Sequence, residues 1–227
     1  MGIEVCVFNR DDAYLAQEAG AMRLELCTNY AEGGITPPMQ DLEAWAGLSD
    51  REALTIPSLV MLRPRAGDFI YTKNDKRWIM DMIHRIGKLG FQGVVVGSLL
   101  KKGSKITLDT QFLSTASLLV HSLGMEMVLH RCFDELSTPF NAVSEAQLCG
   151  VDRILTAWGS KNMETLKMLR WHASEISIIP GGGIRLANIN RYTDLGFKEL
   201  HTSSLGEGGE LDIASLKEMV AAMKRIQ

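Results

Sequence analysis

Residues 3–27 read IEVCVFNRDDAYLAQEAGAMRLELC, and their pattern decides the fold. The run opens with an alternating segment of strand period, Ile3–Phe8. An amphipathic stretch, DDAYLAQEAG, follows and ends at Gly20. A glycine just past a helix supplies the left-handed cap that turns the chain back. A second alternating segment, Met22–Cys27, comes directly after. Strand, helix, glycine, strand is the signature of a βα unit feeding a parallel neighbour.

The unit recurs along the chain. Further strands are read at Ser58–Leu62, Gly93–Gly97, Glu126–Arg131, Arg153–Ala157, Ile176–Pro180 and Glu199–Ser203. Helical stretches such as KRWIMDMIHRIGKLG and LDTQFLSTASLLVHSLG lie between them, and Gly90, Gly124, Gly150 and Gly196 stand where Gly20 does. A last helix runs from about Asp212 to Ile226. Eight strands alternating with eight helical segments in 227 residues predict an α/β fold, a (β/α)8 TIM barrel forming one domain over 1–227. An open doubly wound sheet fits less well, because no GxGxxG follows the first strand. The longer inserts, TNYAEGGITPP and PRAGDFIYTKND, follow strands two and three. Barrels build their sites on such loops.

Composition narrows the partners. Hydrophobic residues make up 46% and charged residues 22%, as in an ordinary globular domain. A formal net charge of −3 gives no global attraction to nucleic acid or an anionic membrane, and neither is expected as a partner. No apolar run approaches the roughly 18 residues of a membrane span. The start, MGIEVCVFNRDD, lacks the basic and apolar regions of a secretory leader and the Ser/Thr of a myristoylation site. The four cysteines, Cys6, Cys27, Cys132 and Cys149, form no CxxC pair, and in a cytosolic chain they are reduced. Cysteine also packs as a small hydrophobe, the better reading for Cys149.

Inward positions of a barrel strand alternate, and those near its C-terminal end face the site. Polar residues there are informative. Strand one offers Glu4 and Cys6, and strand two offers Arg23, Glu25 and Cys27. Strand three ends in Arg63 and Arg65, strand five in His130 and Arg131, with Asp134 just beyond; strand eight carries His201 and Ser203. Buried charges without partners cost several kcal/mol, so packing alone would favour Val or Leu. The loop Gly181–Gly182–Gly183 follows strand seven. Glycines there let backbone amides approach an anion. Arg23, Arg63, Arg65, Arg131, the three glycines and Ser203 are therefore anion-binding candidates, and Glu4, Glu25, His130 and His201 acid–base candidates. They suit a small phosphorylated or carboxylated metabolite, bound by an enzyme or a non-catalytic sensor, with no organic cofactor expected. Cys6 and Cys27 come together if strands one and two are parallel neighbours. Two thiolates suit a soft ion such as Cu(I) better than zinc, for which no closed Cys/His set is visible.

The motifs EVCV, A-x-R-x-ELC (Ala21–Cys27), EGGITPP (Glu32–Pro38), RPR-x-GDF (Arg63–Phe69), HR-x-FD (His130–Asp134), PGGGI (Pro180–Ile184) and LHTSS together resemble the copper homeostasis protein CutC family. They follow that family's order over nearly the whole chain. The resemblance implies a TIM barrel, a cytoplasmic location, a homo-oligomer and a role in copper homeostasis, with Cu(I) attributed to Cys6 and Cys27. Two departures stand out. Relatives of the family often read HCSA where this chain reads HTSS, so Thr202 replaces a thiol. The usual acidic VDS after strand one is here VFNRDD.

Overall fold

The computed structural model describes residues 1–47, 54–206 and 208–225. In chain order the strands are β1 (Gly2–Val7), β2 (Arg23–Leu26), β3 (Ser58–Leu62), β4 (Gly93–Val96), β5 (Leu99–Lys102), β6 (Lys105–Leu108), β7 (Glu126–Leu129), β8 (Arg153–Thr156), β9 (Ser177–Pro180) and β10 (Glu199–Thr202). The helices are α1 (Arg10–Glu18), α2 (Met39–Ala46), α3 (Lys73–Leu89), α4 (Thr110–Ser122), α5 (Pro139–Leu148), α6 (Trp158–Lys161), α7 (Met163–His172), α8 (Asn190–Thr193) and α9 (Ile213–Arg225). Eight parallel strands form one sheet in the order β10-β1-β2-β3-β4-β7-β8-β9, which is chain order carried round a circle. This is the expected (β/α)8 barrel. Among the described residues no ladder joins β9 to β10, so the barrel is nearly closed and has one seam. No described helix is long and apolar enough to cross a membrane.

Local chemistry accounts for the element ends. Asn9 caps α1 by accepting from the Asp12 amide at 2.8 Å. Thr72 and Asp75 form a capping box at the start of α3, and Gly90 ends that helix at φ +83°. Two features depart from simple alternation. The hairpin β5–β6, turning at Gly103, is inserted after β4. The unit between β9 and β10 carries only a 3-10 turn at Leu186–Asn188 and the four-residue helix α8. Ile226, the expected last helical residue, lies outside the described residues.

Two apolar regions hold the barrel. The larger lies between sheet and helices and includes Ile3, Val5, Leu24, Leu26, Ile79 and Ile83. The smaller fills the barrel itself with Leu59, Met61, Val95, Val128, Leu155 and Ile179, beside Cys6 and Cys27. Parallel register sets which polar residues join them. Glu4 lies opposite both Arg23 and His201, and Cys6 lies opposite Glu25. Above its N-terminal end the interior is thus divided: an apolar wall from β3 round to β9 faces an ionisable wall on β10, β1 and β2, while Glu126 on β7 and Arg153 on β8 add charges at the N-terminal end.

Candidate functional site at the barrel mouth

The ionisable wall is layered. At the N-terminal end Arg23 pairs with Glu4 through a short contact and with Glu199 at 2.8 Å. Arg153 binds Glu126 at 2.7 Å and approaches Glu199 at 3.9 Å. These five residues form a floor. Above it, the His201 Nδ1–H donates to Glu4 Oε1 at 2.7 Å, and His201 Nε2 lies 3.4 Å from Glu25 Oε2.

Each group's proton affinity follows from these neighbours. Burial favours neutral Glu4, but the His201 hydrogen bond and the Arg23 charge overcome it and lower its pKa to about 2. Burial likewise opposes the His201 imidazolium; Glu25, a hydrogen bond with Cys6, and Glu4 nevertheless raise its pKa well above the ordinary value. Glu4 and His201 are therefore an ion pair. Burial raises Glu25 to about 7, with His201 opposing and the Glu4 charge adding to the rise. Its Oε1 is buried and has no hydrogen-bond partner among the described residues.

Glu25 opens onto a cavity of ≈ 160 Å³ at the C-terminal mouth. Cys6, Cys27, Arg63, His130, Arg131, Gly182, Gly183, His201 and Ser203 line it, together with Phe8, Tyr30, Met61 and Phe69. Most of the candidates are thus brought together, with different burdens. Arg63 spends its guanidinium on loop carbonyls: Nη1 donates to Glu32 and Gly34, and Nη2 to Gly67. Among the described residues only its Nε lacks a partner. His130 caps the turn after β7, its Nδ1 accepting from the Cys132 amide at 3.2 Å. That bond puts the ring proton on Nε2, which is buried and unpartnered. Burial and the Arg63 charge lower the His130 pKa to about 3, so the ring is neutral.

Four candidates sit elsewhere. Glu4 and Arg23 belong to the layers beneath the cavity, because the stagger of a closed parallel sheet puts Arg23 level with Glu4. Arg65 turns away from the mouth to Asp68 at 2.8 Å and Asp75 at 3.7 Å. Gly181 is a packing glycine; its amide bonds Thr156, and a Cβ there would meet Leu155 at 2.9 Å. Asp134 pins the end of β8 by accepting from the Thr156 hydroxyl at 2.5 Å and the Ala157 amide.

The family profile of the CutC family matches residues 1–206. A relative named for CutC in Serratia proteamaculans is 38% identical over 206 residues, covering 89% of this chain and 78% of its own. Another in Photorhabdus laumondii is 36% identical, covering 89% and 79%. The chain belongs to the CutC family. A CutC crystal structure from Streptococcus agalactiae, named for copper homeostasis, superposes with a TM-score of 0.78 at 27% identity, covering 89% of this chain and 99% of that one.

Two features of this CutC chain bear on a metal. Cys6, Glu25 and Cys27 each offer a donor atom, and the three lie within 4.8 Å of one another. The two thiols suit a soft cation, whereas the Glu25 carboxylate beside them is a hard donor. Glu4, Glu25 and His201 are equally close, but the ion pair already occupies that trio. The thiols are weak acids: burial raises Cys27 to about 11, while the hydrogen bond with Cys27, then burial, puts Cys6 well above the ordinary thiol. Thr202 ties loops together; its hydroxyl donates to Ile184 O at 2.9 Å and accepts from the Ser204 amide.

The sequence reading missed the floor residues Glu126, Arg153 and Glu199, and the ring of Phe69. The floor had a signal. Glu199 shares strand parity with His201 and Glu126 with His130, whereas the strand of Arg153 carried no inward candidate. Phe69 had none beyond its motif; it lies under the Arg63 guanidinium at 4.9 Å and against the His130 ring at 4.8 Å.

Proposed function

We propose that this protein binds Cu(I) through Cys6 and Cys27 in the cytoplasm, serving copper homeostasis. The observation that carries this reading is the cluster of two thiols and one carboxylate oxygen within 4.8 Å. Thiolates are the soft ligands Cu(I) prefers, and Glu25 supplies a third donor. Because both thiols hold their protons tightly, binding must release them. Cu(I) affinity therefore rises with pH through the neutral range. Competition with a bathocuproine chelator measures this. Wild type is expected to take Cu(I) from the chelator more effectively at pH 8 than at pH 6, and Cys6→Ser/Cys27→Ser to lose that ability. Equal affinity of the two proteins would sink the copper reading.

A second reading is favoured by Glu25, a buried carboxyl held near pH 7 that lines the cavity and has one oxygen unpartnered among the described residues. A group so poised exchanges protons with a bound molecule. In this reading the barrel acts on a small carboxylated or phosphorylated metabolite, with His201 as the charged partner of Glu25. Turnover of such a compound, abolished in Glu25→Gln, is the supporting result.

A further inference from the structure

Copper would engage two thiols and one carboxylate. It leaves several donors at the mouth without employment. Arg63 Nε and His130 Nε2 are buried N–H groups with no partner among the described residues, on side chains that flank the Phe69 ring. Unpaired buried donors are rare in folded proteins, because each forfeits its bond to water. Both residues line the cavity, and the two nitrogens themselves are covered, so a ligand reaches them by displacing that cover. Among the described residues the amides of Gly182 and Gly183 also lack a hydrogen-bond partner, and both residues line the same cavity. The two glycines adopt φ of +75° and +84°. Gly182 presses on Ala157, where a Cβ would come within 2.4 Å, whereas nothing lies within 4 Å of a Cβ at Gly183. One glycine is thus explained by packing, while the other leaves open space beside an exposed backbone.

The strands that carry these donors stand across the barrel from one another. Arg63 follows β3 and the glycines follow β9, four places apart in the eight-stranded order. Each group is a donor, so each calls for an acceptor on the ligand. We propose that the mouth binds a small metabolite carrying two oxyanion groups, one on the Gly182 and Gly183 amides and the other on Arg63 Nε–H and His130 Nε2–H. The proposal rests on the second reading above for its pocket, and names the recognition chemistry. The cavity's ≈ 160 Å³ is well below the roughly 300–1,000 Å³ of drug-sized sites, so the ligand has only a few carbons between its charged ends.

The test is calorimetry on the metal-free full chain with 2-phosphoglycolate, glycolate and inorganic phosphate. The two-ended probe is expected to bind at least roughly tenfold more tightly than either single-ended one. The better single-ended probe reports which anion dominates. His130→Asn keeps an oxygen to accept from the Cys132 amide but removes the Nε2 donor. It is expected to weaken 2-phosphoglycolate binding by roughly 10- to 100-fold. Should that variant fail to fold, the His130 Nε2–H resonance of 15N-labelled wild type is expected to shift on adding the probe. No binding of any probe, undiminished binding by His130→Asn, or an unmoved His130 resonance would each overturn the proposal. Binding without turnover leaves this proposal standing and removes the acid–base reading.

Discussion

Arg23 shows how one side chain can be recognised for its cost and misplaced by its position. Its guanidinium is buried and committed to Glu4 and Glu199. Removing one partner of such a pair leaves an uncompensated buried charge. Arg23→Met is expected to lower unfolding stability by about 3–5 kcal/mol, read from urea denaturation. A loss below about 1 kcal/mol would mean that Glu4 finds another partner or water. His201 extends the same logic upward. It holds Glu4 with one nitrogen and faces Glu25 with the other, so its charge links floor and mouth.

At the scale of elements, β4 is the instructive strand. Its sequence GVVV reads as a buried parallel strand, and it is buried throughout. The leading glycine has a reason only the assembled barrel reveals. A Cβ at Gly93 would lie 2.6 Å from Glu126 Cγ and 2.7 Å from Glu126 O. Backbone cannot swing aside as a flexible side chain can. Gly93→Val is therefore expected to cost about 1–3 kcal/mol, more than Gly93→Ala, by crowding the Glu126–Arg153 pair. Thermal unfolding of the two variants checks the ranking, and equal melting temperatures would contradict it. The loops after β2 and β3 form a second unit. Arg63 binds carbonyls from both, which explains why an arginine predicted to hold an anion has only Nε to spare.

Over the whole molecule, the divided interior makes stability depend on pH in two opposite ways. Glu4 is lowered from the ordinary 4.5 to about 2. Its contribution is complete above 4.5 and is lost as pH falls toward 2. Glu25 is raised from 4.5 to about 7. Between those values the folded protein keeps a proton that the unfolded chain has released, so stability declines as pH rises. His201 adds to the decline, because its raised pKa contributes stability that is present below 6.5 and lost as pH rises through its folded value. Urea unfolding of the metal-free protein across pH is expected to show both limbs. Glu25→Gln is expected to flatten the limb between pH 4.5 and 7, and an unchanged slope would refute the assignment.

The sequence by itself determined the barrel and the inward parity of its polar residues. Apolar alternation, helical periodicity and terminal glycines are local properties, and they repeat often enough to leave one architecture. Parity on each strand correctly set Glu4 with Cys6, Arg23 with Glu25 and Cys27, and His201 with Ser203. Height within the barrel was not legible. It depends on the register between strands far apart in sequence, such as Glu4 with His201, and that register is settled by closing the sheet. Closure sank Arg23 to the floor and kept Glu25 at the mouth. Hydrogen bonding then decided which donors were consumed, sending Arg65 to Asp68 and Arg63 to the loops. The donors left over at the mouth, Arg63 Nε and His130 Nε2, exist only in the folded molecule, since their isolation arises from burial.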